Sequence, residues 1–171
     1  MAQSWTNGDG LFVRFGNLEG TLTEVGEYGN YDPGSIHMVQ LNINGGAGEN
    51  LNTLTKQVHH AVRFPGANDQ TFFLYKAEVE VEVAFDSAGE AATLTIGFDN
   101  LDGTVFDADG VDVAIAEAAI DAVGDTVVCD GAQVGVRLNN TQPLNLTTTV
   151  GTEVFTAGKG WIRLWYYLVN I

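Results

Sequence analysis

The feature that most constrains the fold is an alternation of side chains between Phe72 and Asp86. In FFLYKAEVEVEVAFD, small or apolar residues take every second position from Ala77 to Phe85, and mostly charged residues stand between them. Successive side chains of a β-strand point to opposite faces, so this period predicts a strand with one face on a core and one in water. We expect Ala91–Phe98 to pair with it as a hairpin across the turn DSAGE.

Other segments also have strand character. GLFVRFG at Gly10–Gly16 lies between turn signals, and SIHMVQLNI at Ser35–Ile43 alternates, with its apolar face on His37, Val39, Leu41 and Ile43. Three later segments are rich in β-branched and aromatic residues, as strands are. They are TVVCDGAQVGVRL, LTTTVGTEVF and GWIRLWYYLVNI.

One stretch changes period. In VDVAIAEAAIDAVG, the residues Val111, Ala114, Ile115, Ala118, Ala119 and Ala122 would share one face of a helix. This spacing predicts one short α-helix at about residues 110–123, ended by Gly124. With no internal repeat and no linker, we expect residues 1–171 to form a single all-β domain. Its architecture would be an antiparallel, jelly-roll-like β-sandwich with this helix inserted.

FDNLDGTVFDADGVD, from Phe98 to Asp112, holds five aspartates and two Asp-Gly steps. A calcium loop of the EF-hand type needs an oxygen ligand at its first position and Glu at its twelfth. Both possible registers fail, because Val105 or Phe98 takes the first position. Asp and Gly favour turns, and Asp favours helix starts. We therefore predict that Asp107, Asp109 and Gly110 form a turn and helix cap, with no metal or cofactor.

Enzyme signatures are weak. None of the three serines lies in G-x-S-x-G, and NGGAGEN lacks the ending of a phosphate loop. Cys129 lies in an apolar strand, and the adjacent His59 and His60 would point to opposite faces. Among 22 acids a glycosidase pair can always be imagined. Glu78, Glu80 and Glu82 are better explained as a solvated strand face opposite bases such as Lys76 or Arg163. We expect no enzymatic activity.

The last strand is apolar on both faces. Trp161, Arg163, Trp165 and Tyr167 share one face, and Ile162, Leu164, Tyr166 and Leu168 share the other. One face can fill the core, and the other needs a cover: another chain, a loop or a sugar. Tyr, Trp and Arg are enriched at protein interfaces, and aromatic platforms also bind carbohydrate. The first four residues form the candidate interface.

The net charge of −15 argues against nucleic acid or an anionic membrane as a partner. It indicates a soluble protein or one that docks on a basic surface. We find no signal peptide at MAQSWTNGDG and no apolar run long enough to span a membrane. One cysteine permits no intrachain disulfide. We expect the protein to be made and kept in the cytosol, or assembled there.

Three segments carry a resemblance. They are WTNGDGLFVRFG from Trp5, DGTVFDADGVDVAIAEAAIDAVGDTVVCDGAQVG, and FTAGKGWIRLWYYLVN. With them the chain resembles a group of tailed-bacteriophage structural proteins similar to capsid decoration, or cement, proteins. The resemblance implies a jelly-roll-like domain that assembles as a homotrimer on the outer capsid surface of the virion and binds the major capsid protein. It brings no catalytic residue.

From this resemblance we expect a protein that reinforces the capsid by bridging capsomers. The alternative is a carbohydrate-binding or host-attachment jelly roll on the virion that uses exposed Trp and Tyr. A third, weaker hypothesis is a hydrolase that uses carboxylates of the aspartate-rich stretch.

Overall fold

The computed structural model describes residues 4–6, 12–14, 36–54, 57–64 and 70–170. Within these ranges the only helical element is one turn of 3-10 helix, Glu117–Ala119, and no helix could cross a membrane. The strands are β1 Ser4–Thr6, β2 Phe12–Arg14, β3 His37–Asn44, β4 Gln57–Phe64, β5 Gln70–Ser87, β6 Thr93–Asn100, β7 Val105–Ala116, β8 Thr126–Val128, β9 Val136–Arg137, β10 Leu144–Gly151 and β11 Phe155–Asn170.

Two antiparallel sheets form the sandwich. One has the order β3-β11-β5-β8, with β9 also paired to β5, and the other has the order β4-β10-β6-β7. The chain crosses repeatedly from sheet to sheet, and β3 ends up beside β11 at the other end of the sequence. Apart from the two-residue β9, each sheet has four strands, and two four-stranded sheets with such crossings are the architecture of a jelly roll. The all-β sandwich predicted from the sequence is confirmed, whereas a single domain over 1–171 stays a prediction.

Aromatic side chains from both sheets meet in the core. Phe64 of β4 stacks on Phe72 of β5 with 4.8 Å between ring centroids, and Phe98 of β6 meets Phe64 edge-on at 5.3 Å. Tyr166 of β11 lies edge-on to Phe64 at 5.3 Å and to Phe72 at 5.7 Å. Such offset and edge-on pairs stabilise beyond the area that they bury. One aromatic cluster therefore joins the two sheets.

The longest pairing joins β5 and β11, from Ser87 opposite Phe155 to Gln70 opposite Asn170, with several bulges. The alternation predicted for β5 is confirmed, except that a bulge leaves Val83 51% exposed instead of buried. Phe85 returns to the core and packs over β11, where a Cβ at Gly158 would overlap its ring. Because Gly158 also has φ +118°, only glycine fits there without strain.

The predicted hairpin between Phe72–Asp86 and Ala91–Phe98 is wrong. β5 and β6 belong to different sheets, and residues 88–92 carry the chain across the sandwich. β6 lies between β10 and β7, with Leu94 and Ile96 facing the core from the side opposite β5. A short polar turn can join neighbours in one sheet or form a corner between two sheets, and local sequence does not distinguish these outcomes.

The predicted helix at about residues 110–123 is also wrong. Its first half continues β7, which pairs with β6, and only Glu117–Ala119 is helical. A bulge places Asp112 opposite Ile96 and Ile115 opposite Leu94, so three steps on β7 match two on β6. This extra residue places the buried Asp112 and Ile115 three positions apart on the core side, a spacing that belongs to one face of a helix and not to a regular strand. The helix preference of alanine is worth only tenths of a kcal/mol per residue, so sheet pairing overrides it.

Candidate interaction surface

β11 has the alternation that the sequence predicted. Ile162, Leu164, Tyr166 and Leu168 are buried, and Trp161, Arg163, Trp165 and Tyr167 lie half-buried on the opposite side of the sheet. The outward side chains of β3, β11, β5, β8 and β9 together make a surface that we call the outer sheet face. Whether the four β11 residues form an interface stays a prediction.

One end of this face is aromatic. Trp165 lies opposite Met38 of β3 and Lys76 of β5, and the Lys76 ammonium stands 4.8 Å from the centre of the indole. In the next row Tyr167 stacks on Phe73 with 4.9 Å between the ring centroids and 13° between the planes. We call this region the aromatic half. Its members are Met38, Phe73, Tyr75, Trp165 and Tyr167.

Sequence reasoning missed three of these five residues, Met38, Phe73 and Tyr75. Two of them lie beside β11 residues in the register of neighbouring strands, which the sequence does not reveal. A bulge at Tyr75 places Leu74 opposite Tyr166 and Lys76 opposite Trp165, and Tyr75 itself is 57% exposed. Two adjacent side chains of β5, Tyr75 and Lys76, therefore both lie outside the core.

The other end of the face is ionic. Arg163 forms ion pairs with Glu80 and, at 3.7 Å, with Glu78, as cross-strand pairing predicted. Glu78 also accepts a hydrogen bond from Lys76 at 2.5 Å. These residues, with Glu82, Lys159 and Trp161, make up what we call the ionic half.

Glu82 connects two residues of β11. It forms an ion pair with Lys159 at 2.7 Å and accepts a hydrogen bond from Trp161 Nε1 at 2.6 Å. The bond from Lys159, followed by that from Trp161, holds the pKa of Glu82 below its usual value. Trp161 is thereby fixed to its own sheet, so its polar group is already satisfied within the chain.

The charged residues that the structure describes are unevenly distributed over its surface. The outward side chains of this sheet include four of the seven basic residues of the chain, Lys76, Arg137, Lys159 and Arg163. They also include four acids, Glu78, Glu80, Glu82 and Asp86. The outer sheet face therefore has a formal charge of zero, and the whole net charge of −15 belongs to the remaining residues.

The aspartate-rich stretch has a structural role different from the predicted one. Asp107 and Asp109 lie within β7, so they cannot cap a helix that is absent. Asp107 accepts a hydrogen bond from Gln133 Nε2 at 2.7 Å. Gly110 is not a turn residue with positive φ. It lets the segment after β8 approach closely, and its carbonyl accepts the Gln133 amide at 2.7 Å.

Within the described residues, no group of three or more His, Cys, Asp or Glu could hold a metal ion. Asp102 is instead a turn residue, because its carboxylate accepts the Thr104 amide at 3.0 Å and the Thr104 hydroxyl at 2.6 Å. Hydrogen bonds from Thr104 lower the pKa of Asp102. Asp102 thus stabilises a local turn, whereas Asp107 bonds to a side chain 26 residues away.

Cys129 and Asp112 form a buried pair. Cys129 is 2% exposed, and desolvation together with the charge of Asp112 raises the pKa of its thiol to about 12. Desolvation, and then the charge of Asp130, raises the pKa of Asp112 as well. A thiol with this pKa carries almost no thiolate near neutral pH, so it cannot act as a nucleophile there.

A second buried carboxylate closes the corner between β5 and β6. Glu117 is 4% exposed and accepts hydrogen bonds from the Ser87 amide at 2.9 Å and the Ser87 hydroxyl. Glu153 accepts from the same hydroxyl at 2.9 Å and from the Gly89 amide at 2.7 Å. Both carboxylates satisfy polar groups of the turn that carries the chain between the sheets.

In sequence, the chain matches no protein-family profile and no curated protein. Its fold matches chains of solved bacteriophage capsids. A chain of the capsid asymmetric unit of cyanophage Pam1 aligns over 81% of this chain and 89% of its own length, with 12% identity and a TM-score of 0.52. A chain of the capsid of Ralstonia phage GP4 aligns over 79% and 85%, with 13% identity and a TM-score of 0.54.

The protein shares its fold with these phage capsid chains. The shared region takes in most of this chain and most of each of theirs, so it is the sandwich as a whole that matches and not a local motif. The similarity to phage virion proteins that the sequence motifs indicated is thereby supported at the level of the fold.

Proposed function

We propose that the protein is a structural component of a bacteriophage virion that decorates the outer capsid shell and stabilises it by bridging capsomers. The observation that carries this proposal is the shared fold over about four fifths of the chain with chains of two phage capsids. The sequence motifs at the start, middle and end of the chain favour the same class of protein. The proposed site of assembly is the host cytoplasm.

The proposed mechanism is mechanical. Each copy makes modest contacts with the major capsid protein, and association of copies into a homotrimer makes these contacts simultaneous. Linking weak contacts multiplies their combined strength as long as the geometry lets all of them form together. The acidic surface outside the outer sheet face would favour basic regions of the shell, and neither nucleic acid nor membrane is a partner in this proposal.

We also propose that the protein has no enzymatic activity. Several of its described carboxylates are used in ion pairs, turns and buried hydrogen bonds, as at Glu82, Asp102 and Glu117. Its thiol is buried, with a pKa of about 12. These groups stabilise the fold, which suits a shell protein better than a hydrolase.

The alternative function, carbohydrate binding on the virion, draws support from the aromatic half. Tyr75 is 57% exposed, and Trp165 lies half-buried beside it on the same face. Aromatic rings can stack on sugars, but Lys76 already stands over the Trp165 ring. We therefore place this function second.

Quantitative mass spectrometry of purified virions tests the main proposal. Hundreds of copies per particle are expected of a shell protein, and a handful would indicate a tail or fibre component and contradict the proposal. Particles that lack the protein should lose their genome at a lower temperature than complete particles, and adding purified protein should restore the difference. Binding to a glycan panel that depends on Trp165 would favour the alternative function.

A further inference from the structure

We propose that the aromatic half of the outer sheet face is the surface by which one copy of this chain binds another. This inference rests on the proposed function only in its claim of self-association. It narrows the interface predicted from the sequence: Met38, Phe73, Tyr75, Trp165 and Tyr167 form its centre, and Trp161 and Arg163 move to its rim.

Charge identifies the partner as a second copy. Two copies with −15 each repel one another, and the repulsion is smallest where the contacting surfaces carry no net charge. The outer sheet face meets this condition, with four bases and four acids among its outward residues. A basic partner would instead be attracted to the described acids outside this face, such as Asp109 and Asp121, so a neutral aromatic face best fits another neutral face.

The chemistry of the face matches the anatomy of an interface. Interface centres are enriched in Tyr, Trp, Phe and Met and depleted in charge, and their rims are polar. The aromatic half has the composition of an interface centre, and its Met38 and Tyr75 are 48% and 57% exposed. The ionic half has the polar composition of an interface rim, and its Glu and Arg side chains already pair with one another. Burying such a rim leaves few charges without partners.

The opposite sheet does not offer an equivalent surface at its centre. Asp99 of β6 and Thr147 of β10 alternate with the core residues Phe98 and Leu146, so they lie on the outward side of their sheet. Both are 0% exposed. At these two positions the outward side of this sheet has no solvent-accessible surface. On the outer sheet face, by contrast, Met38, Tyr75 and Val128 are exposed.

Sedimentation of the full-length protein, over a range from about micromolar to about hundred-micromolar, tests the inference. Tyr75→Asp and Met38→Asp place a charge in the aromatic half at exposed positions, where the fold tolerates it. We expect each substitution to raise the dissociation constant of self-association at least about tenfold, as is usual at the centre of an interface. The matched control is Val113→Asp, at a position 58% exposed on β7 of the other sheet, and it should leave association unchanged.

Thermal melting of each variant verifies that it folds. A wild-type protein that stays monomeric throughout the range overturns the inference, as does an oligomer that Tyr75→Asp and Met38→Asp leave intact. A Val113→Asp variant that dissociates the oligomer as strongly as they do also overturns it. The copy number in virions is measured separately, so a failed self-contact and a failed virion assignment remain distinguishable.

Discussion

At the scale of single residues, the Cys129 thiol should be unreactive in the folded protein. Its burial and its pKa of about 12 leave almost no thiolate at pH 8. A thiol reagent such as a disulfide dye should therefore modify the native protein only on the timescale of unfolding, and should react within seconds in denaturant. Rapid modification of the native protein, with its melting temperature unchanged, would contradict the assigned burial.

His37 should make the protein sensitive to mild acid. Its ring stacks on Tyr166 with 5.3 Å between centroids, and burial lowers its pKa from the ordinary 6.5. On acidification the unfolded chain binds a proton at this residue before the folded chain does. The contribution of neutral His37 to the free energy of unfolding is thus fully present above pH 6.5. It is lost as the pH falls through the lowered pKa of the folded state.

Melting temperatures at pH 7.5, 6.5 and 5.5 measure this effect, with His37→Phe as the variant that keeps a ring in place. We expect the wild type to lose more stability than His37→Phe over this range. The pKa values of Glu82 and Asp102 are lowered from their ordinary values of 4.5 and 3.8. Protonation of these carboxylates therefore changes stability only below about pH 4.5, outside the pH range of this experiment. Equal losses in the two proteins would show that His37 does not carry the effect.

At the scale of secondary-structure elements, the contact of β5 with β11 requires glycine at position 158. Gly158→Ala adds a methyl group against the Phe85 ring at φ +118°, and we expect a loss of about 2–4 kcal/mol of unfolding free energy. Gly124→Ala is the matched control, because φ is +90° and nothing lies within 4 Å of the added Cβ. It should cost about 1–2 kcal/mol, for the backbone conformation alone. Chemical denaturation measures both, and equal losses would rule out the packing explanation.

The tether between β7 and the segment that follows β8 can be tested in the same way. Asp107→Ala removes the bond to Gln133 and should cost about 1 kcal/mol, whereas Asp109→Ala, at an exposed position, should change stability by less than about 0.5 kcal/mol. In a double-mutant cycle, Gln133→Ala should add little to Asp107→Ala. Additive losses would mean that the two side chains do not stabilise each other. Calcium should leave the melting temperature of all variants unchanged.

How much of this fold the sequence could predict depended on whether the period of each element was unbroken. β11 and most of β5 alternate regularly, and their buried and outward faces were predicted correctly. At Val83 and between Asp112 and Ile115, a bulge inserts one residue and resets the alternation. The first bulge exposed a valine predicted to be buried, and the second imitated a helix. Bulges are set by pairing with a distant strand, so local sequence does not reveal them.

At the scale of the whole molecule, the candidate surface was predictable along one strand but not across strands. Trp165 and Tyr167 could be assigned to a face from β11 alone. Their neighbours Met38 and Phe73 come from strands about 127 and 94 residues earlier, and only the sheet order β3-β11-β5 brings them together. The neutrality of the face has the same origin, because Arg163 and Glu80 become partners only through this pairing.

Because the described acids outside the outer sheet face far outnumber the described bases there, self-association should strengthen with moderate salt. The Debye length falls from about 30 Å at 0.01 M to about 8 Å at 0.15 M, which screens repulsion between the acidic remainders of two copies. The contact itself is apolar and its ions are paired within each chain, so salt has little attraction to weaken there. Sedimentation at the two salt concentrations should show a larger associated fraction at 0.15 M. The opposite trend would mean that ion pairs between copies dominate the contact, with Lys76 and Arg137 the first residues to substitute.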